Sequence, residues 1–239
     1  NLTFHKGGLL VNAKKIEGKS LNSVEEKTLN ISKFDFFFIR QDPPFNMTYL
    51  SNCYLLELHQ KFQTKPVFIN DPSGIKNFTE KIFPLYFSKF MPDTLITSDL
   101  FHFEMMLKKH KSVVVKPLYL KGGEGIHKLT IDNPRAKYQF KKILNKFKTP
   151  LVVQEFLVNV SNGDKRVILL DGEPIGVINR IPKPGEFKAN LHLGGMASKT
   201  TLTKIETRIC RNLKSFLKIN KLFFVDFDLI DEKLTEINV

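Results

Sequence analysis

The chain closes with FFVDFDLIDEKLTEINV, residues 223–239. Most of this stretch is β-branched or aromatic, as in a buried strand, and it reads as a hairpin folded around Asp231-Glu232-Lys233. Side chains alternate between the two faces of a strand. Phe224, Asp226, Asp228 and Ile230 therefore share one face, and Glu236 and Asn238 share one face of the returning strand. That register sets Asp228 across from Glu236 and gathers two carboxylates and an amide oxygen. Hard cations such as Mg²⁺ take oxygen ligands, and facing carboxylates repel each other without a cation. Pattern alone leaves a cation site and a solvated sheet face equally open.

Upstream, a helix starts at Thr203, with Glu206 at capping-box spacing and Ile205, Ile209, Leu213 and Leu217 along one face. RVILL (166–170), the turn Asp171-Gly172 and PIGVINRI (174–181) form a second hairpin. Between them, residues 183–200 show no periodicity and read as a long loop. SVVVK (112–116) ends a buried strand on Lys116, which is unfavourable unless the ammonium meets an anion. The following KGGEG can bring backbone N–H groups to a phosphate, although a plain turn explains its glycines as well. LVVQEF (151–156), TLIT (94–97) and IHKLTI (126–131) are further strands, and 99–110 and 134–148 are helices. Residues 77–90 look helical, with Pro84 kinking or shortening the segment.

Nearer the start, KFDFFFI (33–39) and PVFIN (66–70) are strands flanking a helix over 47–62, with Leu50, Tyr54, Leu58 and Phe62 at helical spacing. The organisation is a short α/β piece over 1–72, then a larger α+β region over 73–239 that holds most of the polar constellations. In 239 residues there is ample core material, including 22 Phe. No apolar run approaches membrane-spanning length. The two cysteines, Cys53 and Cys210, suit a reduced, cytoplasmic protein. The net charge of +13 is compatible with nucleic acid, a membrane surface or a small anion, but the lysines are spread along the chain rather than gathered in one block. The six histidines show no metal-ligand spacing, and no nucleophile–base pairing can be argued.

Several stretches together resemble the prokaryotic-type glutathione synthetases, ATP-grasp ligases. The most specific is FIRQDPPFN (38–46), joined in order by TEKIF (79–83), VVVKPLYLKGGEGI (113–126), VQEFL (153–157), NGDKRVILLDGEPI (162–175), RIP (180–182), NLHLGG (190–195) and LTEINV (234–239). The resemblance implies a partial N-terminal α/β (pre-ATP-grasp) domain followed by an ATP-grasp fold, in a piece lacking both native ends. ATP would lie between two sheets. Lys81 and Lys116 would contact its phosphates, and the loop Lys121 to Gly125, with Gly122 and Gly123, would cover them. Gln154, Glu155, Phe156 and Leu157 would hold the adenine and ribose. Asp164 and Arg166 would line the nucleotide and acyl-phosphate region, and Arg180 would steady developing charge. Arg40 would bind the peptide substrate, with Asn190, Gly194 and Gly195 near it. Asp228, Glu236 and Asn238 would hold two Mg²⁺ or Mn²⁺ ions.

The implied reaction joins γ-glutamylcysteine to glycine through an acyl phosphate. The implied partners are small molecules, with no nucleic acid or membrane, in a homo-oligomer such as a tetramer. One departure is the loop Tyr119-Leu120-Lys121-Gly122-Gly123-Glu124, where the family has Gly-Met-Gly-Gly beside a small or acidic residue. Two alternatives share part of this pattern. Another ATP-grasp carboxylate–amine ligase would keep the lysines and carboxylates but not RQDPPFN, and a nonenzymatic basic anion- or nucleic-acid-binding protein would rest on the charge alone.

Overall fold

The computed structural model describes residues 2–14 and 26–239. The chain runs β1 (Leu2–His5), β2 (Gly8–Lys14), β3 (Glu26–Asn30), β4 (Phe36–Phe38), α1 (Met47–Phe62), β5 (Val67–Ile69) and α2 (Pro72–Asn77). It continues through β6 (Thr94–Thr97), α3 (Leu100–His110), β7 (Ser112–Pro117), β8 (His127–Thr130), α4 (Ala136–Phe147) and β9 (Leu151–Glu155). The last part holds β10 (Asp164–Leu170), β11 (Glu173–Ile181), β12 (Met196–Lys199), α5 (Lys204–Ile219), β13 (Phe224–Ile230) and β14 (Lys233–Asn238). Two antiparallel sheets dominate, ordered β6-β9-β7-β8 and β12-β11-β10-β13-β14. A three-stranded sheet β1-β2-β3 and a parallel pair β4-β5 lie toward the start.

Each large sheet buries one face against helices. Val167, Leu169, Val225, Phe227 and Leu229 meet Ile209, Leu213 and Leu217 of α5. Val113, Val115, Leu151 and Val153 meet α3 and α4, whose Phe103 and Phe140 stack at 4.4 Å. Because strand side chains alternate, the other face of each sheet is released for polar residues. At α5 the capping box forms as expected: Glu206 N–H donates to Thr203 Oγ1, and Thr203 N–H donates to Glu206 Oε2 at 2.8 Å.

Several sequence expectations shift. The strand expected over 33–39 shrinks to three residues, because the Asn30 side chain caps a 3-10 turn at Ile31–Lys33. The buried face of α1 is Tyr49, Cys53, Leu56 and His59, while Tyr54 and Phe62 are exposed. His59 is buried with its Nε2 hydrogen-bonded to the Lys65 carbonyl at 2.9 Å and its Nδ1 without a partner among the described residues. Over 77–90, Pro84 occupies the first turn of a 3-10 helix, Phe83–Phe90, and no α-helix forms. Ile205 is exposed, and Glu206 and Cys210 take inward positions instead. The end of the long loop is β12, an edge strand with no apolar alternation to announce it.

Asn70 ties the early elements to the five-stranded sheet. Its side-chain amide pairs with β13 as a strand would: Nδ2 donates to the Phe224 carbonyl at 2.8 Å, and Oδ1 accepts from the Phe224 N–H at 2.7 Å. Next to it, Asp71 N–H donates to the Lys221 carbonyl at 3.1 Å.

Candidate functional site

Two hairpins of the five-stranded sheet build the site, and each uses the same device. Asp231 and Glu232 both have positive φ, the signature of a type I′ turn. Alone, that turn would carry Leu229↔Leu234 on to Asp228↔Thr235. A bulge leaves Thr235 as the extra residue, so Asp228 faces Glu236 and Asp226 faces Asn238. The Thr235 hydroxyl donates to the Asp228 carbonyl at 3.1 Å. In the other hairpin the turn Asp171-Gly172 is followed by a bulge between Ile168 and Leu169, which sets Asp164 opposite Arg180. Asp228 then faces Arg166 on its other side.

The result is a row of charged side chains across one face of the sheet. Arg166 grips Asp228 with two bonds of 2.8 Å. Arg180 donates to Asp164 Oδ2 at 2.6 Å and lies 2.8 Å from Asp228 Oδ2. Burial works against the charge of both guanidinium groups, but the carboxylates beside them outweigh it and leave both more firmly protonated than usual. Asp164 is pushed up to about 7, by burial first and then by the charge of Asp228, and its Oδ1 is buried without a partner.

The segment at Glu80-Lys81 closes the row, because Ile237 N–H donates to the Glu80 carbonyl at 3.1 Å. Lys81 Nζ donates to Glu80 at 2.8 Å and to the Leu120 carbonyl at 2.7 Å, and lies 3.8 Å from Glu236. Burial works against its charge, but Glu236 and Glu80 hold its pKa above the ordinary lysine value. Glu80 is raised to about 8 by burial and by Glu236, whereas Lys81 and Lys116 outweigh burial and lower Glu236. Lys116, only 7% exposed, reaches from the four-stranded sheet to within 3.7 Å of Glu236. It shares its strand face with Val114, which is paired to Gln154.

Between the two sheets lies a cleft of about 760 Å³. Lys81, Lys116, Asp164, Asp228 and Glu236 line it, as do Gln154 to Leu157. Gln154 is buried, with Nε2 donating to Thr94 Oγ1 at 2.8 Å. Lys128 Nζ sits 3.7 Å from the centre of the Phe156 ring. A larger cleft of about 2240 Å³ continues beyond Glu236, lined by Arg40, Arg166, Arg180, Asn190 and Asn238. Gly123 borders both clefts. Lys121 and Gly122 border only the second, with Lys121 paired to Asp42. Lys188 Nζ donates to the Gly123 carbonyl at 2.9 Å and joins the glycine loop to the loop after β11. Gly194 and Gly195 line neither cleft; their N–H groups close a turn on the carbonyls of Leu191 and Asn190.

Glu80, Thr235, Lys188 and Asp226 belong to the site without having been expected there. Asp226 carried a signal, since it shares the face of Asp228. Glu80 is the neighbour of the expected Lys81, and Lys188 lies in the loop 183–196 expected near the substrate, but neither side chain was singled out. Among the described residues, no group of three or more His, Cys, Asp or Glu side chains could hold a metal ion, and no helix is long and apolar enough to cross a membrane.

Two sheets enclosing a cleft with lysines from both sides define an ATP-grasp ligase. The fold of D-cycloserine synthetase DcsG matches with a TM-score of 0.66 at 12% identity, covering 88% of this chain and 77% of that one. D-alanyl-alanine synthetase A from Vibrio cholerae matches at 0.63 and 13% identity, covering 100% and 76%. Residues 1–76 match the model of the prokaryotic glutathione synthetase N-terminal domain, and residues 80–239 that of the prokaryotic glutathione synthetase ATP-grasp domain. The glutathione synthetase of Prochlorococcus marinus is 42% identical over 218 residues, spanning 90% of this chain and 69% of that protein. That of Mesorhizobium japonicum is 38% identical over 223 residues, spanning 93% and 70%. The chain belongs to the prokaryotic glutathione synthetase family and is an ATP-dependent ligase.

Proposed function

We propose that the protein joins γ-glutamylcysteine to glycine with ATP, through an acyl phosphate, giving glutathione, ADP and phosphate. The observation that carries this reading is the continuity of the two clefts across Glu236, flanked by lysines on the nucleotide side and arginines on the other. Gln154 to Leu157 hold the adenine and ribose, and Lys81 and Lys116 hold the phosphates. The peptide lies in the larger cleft near Arg40 and Asn190, with its cysteinyl carboxylate toward the γ-phosphorus. Asp164 and Arg166 line the acyl-phosphate region. Arg180, already fixed by Asp164 and Asp228, is aimed without reorganisation at charge developing on the transferred group. The glycine amine then displaces phosphate. Phosphoryl and acyl transfer of this kind need positioned cations rather than a protein nucleophile.

Asp228, Glu236 and Asn238 suit a divalent cation, because all three offer oxygen donors of the type Mg²⁺ or Mn²⁺ takes. A carboxylate has about four lone-pair sites. Arg166 takes two on Asp228 and Arg180 takes one, which leaves one for an ion. Such ions, two in number, supply charge neutralisation on the phosphates when bound. Gly122, Gly123 and Lys121 cover the phosphates, and Gly194 and Gly195 shape the loop that carries Asn190. Residues 1–72 form the substrate-side domain and 73–239 the ATP-grasp domain, in a cytoplasmic protein that assembles as a homo-oligomer.

ADP release measured with each acyl donor and amine in turn tests this. γ-Glutamylcysteine plus glycine is expected to support turnover. Release with D-alanine or free glutamate, and none with γ-glutamylcysteine plus glycine, would assign the protein to another carboxylate–amine ligation.

A further inference from the structure

Asp226 lies on the charged face one alternation from Asp228, and the roles above leave it without a task. It is 6% exposed, and three groups converge on it. Asn238 Nδ2 donates to its Oδ1 at 2.8 Å, Arg166 Nε lies 3.2 Å from Oδ1, and an Arg40 guanidinium nitrogen lies 3.5 Å from Oδ2. The contact with Asn238 carries a directional consequence. An amide presents NH₂ on one side and a carbonyl oxygen on the other, whereas an ionised carboxylate only accepts. Asn238 must therefore turn its NH₂ to Asp226, which leaves its oxygen as the atom free to face the cleft it lines. The reverse orientation would set two oxygens against each other at Asp226 and aim NH₂ hydrogens at any cation.

We propose that Asp226 is a positioning residue that holds the Asn238 amide oxygen-outward for a divalent cation. The proposal rests on the reading of Asp228, Glu236 and Asn238 as the cation's ligands. Asp226 acts through Asn238 and does not itself touch the cation. Arg166 and Arg40 lie against its two oxygens and oppose its negative charge beside Asp228. Outer-shell partners that orient a ligand typically change metal affinity about 10- to 100-fold when removed.

The test titrates Mn²⁺ alone into the protein and follows loss of the free-ion EPR signal, with circular dichroism verifying the fold of each variant. Asp226→Leu is expected to weaken Mn²⁺ binding about 10- to 100-fold. Asp226→Asn is expected to retain most of the affinity, since its amide oxygen can still accept from Asn238. In an Asn238→Ala background, Asp226→Leu should add no further loss. Wild-type affinity in Asp226→Leu, or an equal loss in both backgrounds, would overturn the proposal. If Asp226→Leu does not fold, a loss in Asp226→Asn as large as that in Asn238→Ala would overturn it. Failure of the unmodified protein to bind Mn²⁺ would instead overturn the underlying cation assignment.

Discussion

Replacing Asn70 by alanine removes the pin between the early elements and β13. The side chain is buried and makes two bonds to one backbone residue, at 2.8 and 2.7 Å. Each lost bond leaves a poorly solvated backbone group without that partner, at about 1–3 kcal/mol apiece. The variant should therefore lose about 2–6 kcal/mol, a large part of the stability of an ordinary domain. At roughly 2–4 °C per kcal/mol for a chain of this size, the melting temperature should fall by about 4–24 °C. Asn70→Asp makes the test sharper. It keeps an acceptor for the Phe224 N–H but sets a second oxygen against the Phe224 carbonyl. Its destabilisation should be as large at pH 7 and should shrink on acidification, when a protonated carboxyl can donate again. The pin also bears on the site, because the Arg40 guanidinium lies 5.0 Å from the Phe224 ring centre and 3.5 Å from Asp226. The KM for the peptide should rise in Asn70→Ala with that for ATP little changed. Thermal unfolding by circular dichroism and steady-state kinetics report both effects. A loss below about 0.5 kcal/mol, the size of a neutral surface change, would mean that the Asn70 side chain does not pin β13.

Glu236→Gln should cut turnover by about two orders of magnitude or more with the fold retained; unchanged ADP release would remove Glu236 from the site. Gly123→Ala meets a φ of +77° and a Cβ placed 2.9 Å from Asn190 Oδ1. The left-handed backbone alone costs about 1–2 kcal/mol, so the KM for ATP should rise roughly tenfold, and an unchanged KM would show that the loop does not cover the nucleotide. Asp93 is held below its ordinary 3.8 by hydrogen bonds from Lys109 at 2.7 Å and His110 at 2.6 Å. A depressed carboxylate pKa gives stability that is present above 3.8 and lost as pH falls through the folded value. Asp93→Asn should therefore cost less than about 1 kcal/mol at pH 7, as exposed pairs do, and less still near pH 3. A penalty that grows on acidification would contradict this.

The opposition of Asp228 and Glu236 was legible because strand alternation fixes faces. The route to it was not. A three-residue turn and a two-residue turn plus a bulge at Thr235 give the same pairing, and a bulge leaves little trace in residue types. The capping box at Thr203 and Glu206 was legible because it is local. The inward face of α1 was not, since the apolar series through Tyr54 and Phe62 is as regular as the one that is buried, and His59 is polar until the Lys65 carbonyl is beside it. Glu80 and Lys188 join the site through contacts with Glu236 and Gly123, more than 60 positions away along the chain, and no spacing rule reaches that far.

In the proposed reaction a carboxylate oxygen of γ-glutamylcysteine attacks the γ-phosphorus and leaves with phosphate. Labelling both oxygens of the cysteinyl carboxylate with ¹⁸O and analysing the released phosphate by mass spectrometry tests it directly. Transfer of one ¹⁸O to each phosphate is expected, with the other retained in the new amide. Unlabelled phosphate formed while ATP is consumed would mean that water, not the peptide, takes the phosphoryl group.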